Sequence, residues 1–419
     1  MHWARRRCYS VIPLSLNMPY SRWTLGLMKN TRSIPTVAAC LILCGVALGQ
    51  TPRTSWSYDH IITFDAPGAG KDAGQGTSPQ AINDQGEIAG YYKDGASVVH
   101  GFVRLTDGTF STFDAPGASK KATLGTFPQG INKNGDVAGY FFADPNGVRH
   151  GFVRHKEGTF AKFDPPGSVG TVARSINDLD EFTGNYVSYD VAHGFIERRT
   201  GMPTTFDPPG SDNTAPQSIN AHGEIAGYYS DAGNGLHGFV RHADRTYVKF
   251  DVPGSVPSAR KGTLPMSINS DGEIVGYFHT GANSGIHGFA RRKDGNFTKF
   301  DPPGSITDGA THLDEEGYIL RPATAALSIN DNGEIAGYFG DTMGIVHGFV
   351  RHKDGTFTIF EAPGAAKSGN LGTFSESINN GGDVTGYFYA GANAVLSGFL
   401  LRRTRNPSQG EVKEQKKTP

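Results

Sequence analysis

The stretch INDQGEIAGYYKDGASVVHGFVRLTDGTFSTFDAPG, residues 82–117, holds every phrase from which this chain is built. It opens on Ile82-Asn83, turns through Asp84-Gln85-Gly86, and continues as Glu87-Ile88-Ala89-Gly90-Tyr91. It resumes at His100-Gly101-Phe102 and closes on Phe113-Asp114-Ala115-Pro116-Gly117. Each phrase is short, β-branched or aromatic, and bounded by turn residues, which is how a strand reads. The glycines fall where a tight hairpin needs a positive φ. One copy is therefore a four-stranded antiparallel meander.

The same phrases recur in fixed order along the chain. Ile-Asn returns at Ile131, Ile176, Ile219, Ile268, Ile329 and Ile378. The His of His-Gly-Phe returns at His150, His193, His237, His287 and His347, and Ser397 takes its place in the last copy. Phe-Asp-x-Pro-Gly starts at Phe64, Phe113, Phe163, Phe206, Phe250, Phe300 and Phe360, with Glu361 for Asp in the last. Seven four-stranded units of about 50 residues predict an all-β, seven-bladed β-propeller. The phase of the repeat points to closure. The first copy starts with its fourth strand alone (Tyr58 to Asp65) and the last stops after its third (Ser397 to Arg402). The N-terminal strand is then the outer strand of the last blade, over a domain spanning 57–403. The recurring prolines fit an outer edge strand, where a missing N–H is tolerated.

Composition agrees. Of 57 glycines, 32 fall on recurring repeat positions, so they mark turns and close contacts and not looseness. With 24 prolines as well, a mainly helical protein is excluded. Residues 1–49 hold six Lys/Arg, no acid, and all three cysteines (Cys8, Cys40, Cys44). They read as a signal-peptide region: a basic segment from Met28, the expected true start, then an apolar run from Ala38 to Leu48, cleaved before Gln50. Residues 50–56 read as a linker and 404–419 as a disordered polar tail. The exported chain would hold no cysteine, hence no disulfide or thiol nucleophile. It would carry 33 basic and 40 acidic residues, which excludes nucleic acid as a partner. The expectation is a secreted monomer, extracellular, periplasmic or on the cell surface, with no stable membrane insertion after cleavage.

The His-Gly-Phe and Ile-Asn-x-x-Gly-Glu-Ile-x-Gly-Tyr phrases resemble the HAF-type probable extracellular repeat of bacteria, over roughly residues 57–402. The resemblance implies export and a repeat fold, with no activity to carry to any residue.

A residue present in every copy solves a problem that every copy has, so the recurring groups read as scaffold. The six histidines read as bonded to backbone or to a neighbouring blade. The acids opening the second strand (Glu87, Asp136, Glu181, Glu224, Glu273, Glu334, Asp383) read as cross-strand ion pairs with Arg104, Arg154, Arg241, Arg291 and Arg351. Gly90 and its equivalents read as the seat of a neighbouring blade's aromatic ring. Tyr91, Phe102 and Phe113 read as core between blades.

Function then falls to what breaks the repeat. The 1–2 and 3–4 turns are short and constant, whereas the 2–3 and 4–1 connections vary. From the Phe of strand 4 to the Ile of strand 1 the step is 13, 18 or, once, 29 residues. Variable loops on a rigid frame carry function in β-scaffolds, so the ligand face is expected there. The longest loop holds the candidate ligand-binding residues Asp308, His312, Asp314, Glu315, Glu316, Tyr318 and Arg321. Asp308, Asp314 and Glu316 could hold a cation such as Ca2+, or the cluster could hold ligand hydroxyls; as a plain alternative the loop is a solvated insertion. Lys71, Lys120, Lys121, Lys261 and Lys367 could attract anionic glycans. No catalytic residue or cofactor is assigned. The reading is an exported, non-catalytic binding module for extracellular glycan or protein. The alternatives are a propeller enzyme acting on extracellular polysaccharide, as hydrolase or lyase, and a structural assembly module of the cell envelope.

Overall fold

The computed structural model describes residues 56–143, 147–198, 203–281, 285–306, 323–391 and 393–405. Among them the regular elements are all β-strands, taken four at a time. The first sheet runs Gly76–Ile82, Ile88–Lys93, Val99–Arg104 and Phe110–Phe113, each strand antiparallel to the one before. The pattern recurs over 126–163, 170–206, 213–250, 263–300 and 324–360. The final set is Thr373–Ile378, Val384–Ala390 and Val395–Arg405. Its fourth strand comes from the other end of the chain. Trp56–Phe64 pairs antiparallel with Val395–Arg405, Phe64 standing opposite Gly398. A parallel bridge between Gly76 and Leu396 joins this last set to the first sheet. The split repeat therefore pairs as its phase required.

The first strand of each set touches the first strand of the next, and Thr373–Ile378 touches Gly76–Ile82. These are the inner strands. At their ends, the Asn of each Ile-Asn phrase donates from Nδ2 to the backbone carbonyl of the next set's Asn. The bonds run Asn83 to Asn132, Asn177, Asn220, Asn269, Asn330 and Asn379, and from Asn379 back to Asn83, at 3.0–3.2 Å. The same side chain's Oδ1 accepts from the acid's backbone N–H four residues on, as Asn83 does from Glu87 at 2.9 Å. One buried amide thus holds its own turn and its neighbour, leaving few orphan groups in a site closed to water. The turn needs a positive φ: Gly86 has φ +80°, and Asp180 fills the corresponding place in the third sheet at +60°.

Apolar side chains fill the space between successive sheets. Ala89 and Val103 of the first pack with Ile131, Val137, Phe141 and Phe152 of the second. The Phe of His-Gly-Phe is among the most deeply buried groups of every set, with Phe102, Phe195, Phe239, Phe289, Phe349 and Phe399 fully buried. Truncating one such ring costs about 3–5 kcal/mol.

Three sequence expectations need correction. A Cβ on Gly90 would lie 2.5 Å from the Ser78 carbonyl oxygen and 2.7 Å from the Pro79 Cα. Its own sheet's inner strand therefore crowds it, and not a neighbour's aromatic ring. The cause is a β-bulge in the inner strand at that level. The histidines bond neither to backbone nor to a neighbour. Nδ1 of His150 meets Asp164 at 2.7 Å, and His100, His193, His237 and His287 meet the equivalent acid of their own outer strand. Each ring also packs on a second-strand aromatic, stacked for His100 on Tyr92 at 5.0 Å and tilted for His150 on Phe141 at 5.4 Å.

The third correction concerns the arginines. Arg154 lies 4.7 Å over the ring of Phe113 in the preceding sheet, and Arg104, Arg241, Arg291 and Arg351 do the same over Phe64, Phe206, Phe250 and Phe300. The acids pair elsewhere: Asp136 with His155, Glu224 with His242, Glu87 with Lys156 of the next sheet, and Glu334 with His352 and with Arg403 of the next. A guanidinium is weakly hydrated and stacks well, so the arginine ending the third strand takes the ring, and the acid is met by a base that follows that position in sequence, Arg198 and Arg403 among them.

Candidate functional site

The inner strands surround a central passage. Its mouth, at the Ile-Asn end, is a cavity of about 190 Å³ lined by the Ile-Asn residues and by the residue after each Asn, among them Asp84, Lys133, Asp178, Asp331 and Asn380. Much of this polarity serves to tie turns together. Asn380 Nδ2 donates to both Asp84 and Asp331 at 3.0 Å, and the backbone N–H of Lys133 donates to Asp178 at 2.9 Å. The Lys133 ammonium reaches Asp178 at 3.6 Å.

Deeper in, the wall loses its symmetry. Every inner strand carries one extra residue relative to the second strand, and these bulged residues are Gln80, Gln129, Arg174, Gln217, Met266, Leu327 and Glu376. A bulge re-aims the side chain it adds, and bulges are conspicuous beside binding sites. All seven side chains keep partial solvent contact although they stand on the innermost strands. They therefore line the passage. Beside them stands the residue after the second-strand glycine: Tyr91, Tyr140, Tyr228, Tyr277, Tyr338 and Tyr387, with Asn185 in the third sheet. Tyr91 was expected as core between sheets; it touches Phe127 of the next sheet at 5.2 Å but also borders the passage.

Two alike aromatic clusters form here, Tyr91 with Phe127, Tyr140 and Phe142 in the first two sheets, and a second in the last two. Tyr338 contacts Phe374 at 4.9 Å, Phe374 stacks on Tyr387 at 5.0 Å, and Tyr389 meets both edge-on at 5.7 and 5.9 Å. Among these rings stands Glu376. Its side chain keeps only partial solvent contact, and among the described residues no hydrogen bond reaches its carboxyl. Burial alone pushes it up to about 7. Burial likewise pushes the Tyr91 hydroxyl up to about 12 and those of Tyr338 and Tyr387 further, with Glu376 adding to each. On the third sheet, Arg174 keeps a buried Nε and Asn185 a buried Oδ1, both without partners. A carboxyl held among aromatic rings without a hydrogen bond is costly to keep.

The residues singled out from the sequence, Asp308, His312, Asp314, Glu315, Glu316, Tyr318 and Arg321, lie outside the described residues, as does the cation set among them. Among the described residues no three His, Cys, Asp or Glu are placed to hold a metal. Of the loop lysines, Lys71 pairs with Asp65 at 2.6 Å and Lys367 with Glu361 at 3.3 Å, so both are engaged within their own loops. Sequence reasoning passed over the bulged position. Its signal was present as the residue two before each Ile: Gln, Gln, Arg, Gln, Met, Leu and Glu, a position whose chemistry changes while the Ile-Asn that follows stays constant.

No protein-family model and no curated protein matches the chain. Solved structures do. The chain is similar to the β-propeller domain of the Trilobed protease from Pyrococcus furiosus, described as having an open velcro topology. That match has a TM-score of 0.50 and 11% identity, covering 82% of this chain and 100% of that one. It is also similar to a prolyl endopeptidase, at TM-score 0.51 and 12% identity, covering 74% of this chain and 46% of that one. TolB from Acinetobacter baumannii matches at TM-score 0.39 and 17% identity over 53% of each chain, so this chain spans about half of TolB's length. At these identities the likeness is one of fold: the four-stranded sheets have β-propeller architecture.

Proposed function

We propose that the chain is a seven-bladed β-propeller, closed by Trp56–Phe64 as the outer strand of its last blade, that serves as a non-catalytic binding module outside the cell. The observation that carries this reading is the cycle of seven asparagine bonds that returns from Asn379 to Asn83. It locks the short-turn end of every blade to its neighbours. The 2–3 and 4–1 loops at the other end are then presented from a frame that does not give, which is how a β-scaffold displays a recognition surface. The ligand class is extracellular glycan or protein, and export follows from the signal-peptide region and the HAF-type resemblance.

The test is an array of glycans and peptides probed with the full chain, with and without Ca2+. Saturable binding that is lost when the loop containing residues 307–322 is shortened to the 18-residue step found in four of the other repeats supports the reading. Binding to no member of the array, by a chain shown by circular dichroism to be folded, overturns it.

A further inference from the structure

We infer that the passage holds a second binding site, for a small zwitterion, whose ammonium is taken by Glu376 among Tyr338, Phe374, Tyr387 and Tyr389, and whose carboxylate is taken by Arg174.

The two charged residues occupy the same position of two inner strands, each as the extra residue of a bulge. In a cycle of seven blades the seventh and the third are three steps apart one way and four the other, the widest separation possible. Glu376 and Arg174 thus face each other across the passage and not side by side. Among the described residues neither forms an ion pair. Glu376 accepts no hydrogen bond, and Arg174 Nε is buried without a partner, as the Nε atoms of seven other arginines also are. The five other bulged residues, Gln80, Gln129, Gln217, Met266 and Leu327, are uncharged. Three of them are glutamines whose amides bond to backbone carbonyls close by in their own strands, as Gln129 does to Pro128 at 3.0 Å. The passage therefore keeps one negative and one positive group at a level where every other repeat solves the position without charge.

The chemistry at the two ends differs in kind. Around Glu376 the rings of Phe374 and Tyr387 stack at 5.0 Å, with Tyr389 and Tyr338 closing the sides. Aromatic faces beside a desolvated carboxylate favour an organic ammonium, because the ring quadrupole and the carboxylate attract it together. Around Arg174 stands Asn185, the one non-aromatic member of its ring, with an unmet Oδ1. A guanidinium fork is matched to a carboxylate. An ion of one sign would meet one end and leave the other without a partner, so a ligand carrying both charges is selected.

This site is separate from the loop face, although both rest on the same closed ring. The test is isothermal titration of the full chain with glycine, 4-aminobutyrate and 6-aminohexanoate, beside butylamine and butyrate. At least one amino acid should bind at least tenfold more tightly than either single-charge compound. E376Q and R174Q should each weaken it at least tenfold while keeping wild-type circular dichroism. No saturable binding of any amino acid, equal binding of butylamine, or unchanged affinity in both variants overturns the inference. Array binding at the loops, measured on the same variants, should be unaffected, so failure of one site is distinguishable from failure of the other.

Discussion

Replacing Glu376 by glutamine should make the protein more stable above pH 7 and leave it unchanged near pH 4.5. The folded chain holds this carboxyl at about 7 against an ordinary 4.5, with burial as the cause. Between those values the folded state keeps a proton that the unfolded chain has released. Stability contributed by the neutral acid is therefore whole below pH 4.5, falls as pH rises, and is lost by pH 7. At 1.36 kcal/mol per pH unit the loss is roughly 3 kcal/mol. Glutamine has nothing to lose, and it is already the residue at this bulge in three other blades. The titratable groups near Glu376 are the hydroxyls of Tyr91, Tyr338, Tyr387 and Tyr389, all pushed upward and silent in this range. The inner strands on either side, Gly76–Ile82 and Thr324–Ile329, hold no ionisable side chain. Urea unfolding of both proteins at pH 4.5 and pH 8 gives the double difference, in which all other titrations cancel. A gain at pH 8 that exceeds the gain at pH 4.5 by about 2–3 kcal/mol is expected. A double difference below about 1 kcal/mol would refute the reasoning, because Glu376 would then not be desolvated.

Three further outcomes follow from the packing. Removing residues 56–66 strips the outer strand and the Phe64 ring beneath Arg104; the melting temperature should fall by several degrees or more in calorimetry, and an unchanged melt would count against closure by this strand. Arg154→Met should cost about 0.5–2 kcal/mol in denaturant unfolding, and the cost should persist at 1 M NaCl, whereas a loss erased by salt would mean an ion pair and not a ring contact. Asn220→Ala breaks both the turn and the link to Asn269, so it should lower stability by about 1–3 kcal/mol; hydrogen exchange should quicken at the Asn220 turn and its neighbour in the fifth sheet first.

The repeat phrases displayed the sheets, their order and the split strand because each phrase is a strand with its own turn chemistry. The partners of recurring polar groups were less visible. His100 and Asp114 stand 14 residues apart, as do the equivalent His and acid in the other copies, yet strand register is needed to see that this spacing brings them face to face. The arginines looked like partners for acids because strand pairing sets Arg104 beside Ile88, next to Glu87. The preceding blade's Phe64 belongs to a strand some 340 residues away in sequence from its own sheet partner, and no local pattern points to that ring. The passage was hidden for a further reason. Reading each inner strand as regular assigns Glu376 and Arg174 by simple alternation, whereas a bulge shifts that alternation and turns them toward the axis.

The pairing of Trp56–Phe64 with Val395–Arg405 also has a consequence for synthesis. Among the described strands, the first in sequence, Trp56–Phe64, has the last, Val395–Arg405, as its ladder partner. Until that partner is made it is a bare strand carrying Ile61, Ile62 and Phe64 with no ladder to join, and the first blade lacks the neighbour that covers it. Such edges pair readily with other chains. The last blade is therefore completed only once both of these strands have been made, and the interval before the second arrives is when the molecule is most exposed to association with its own copies.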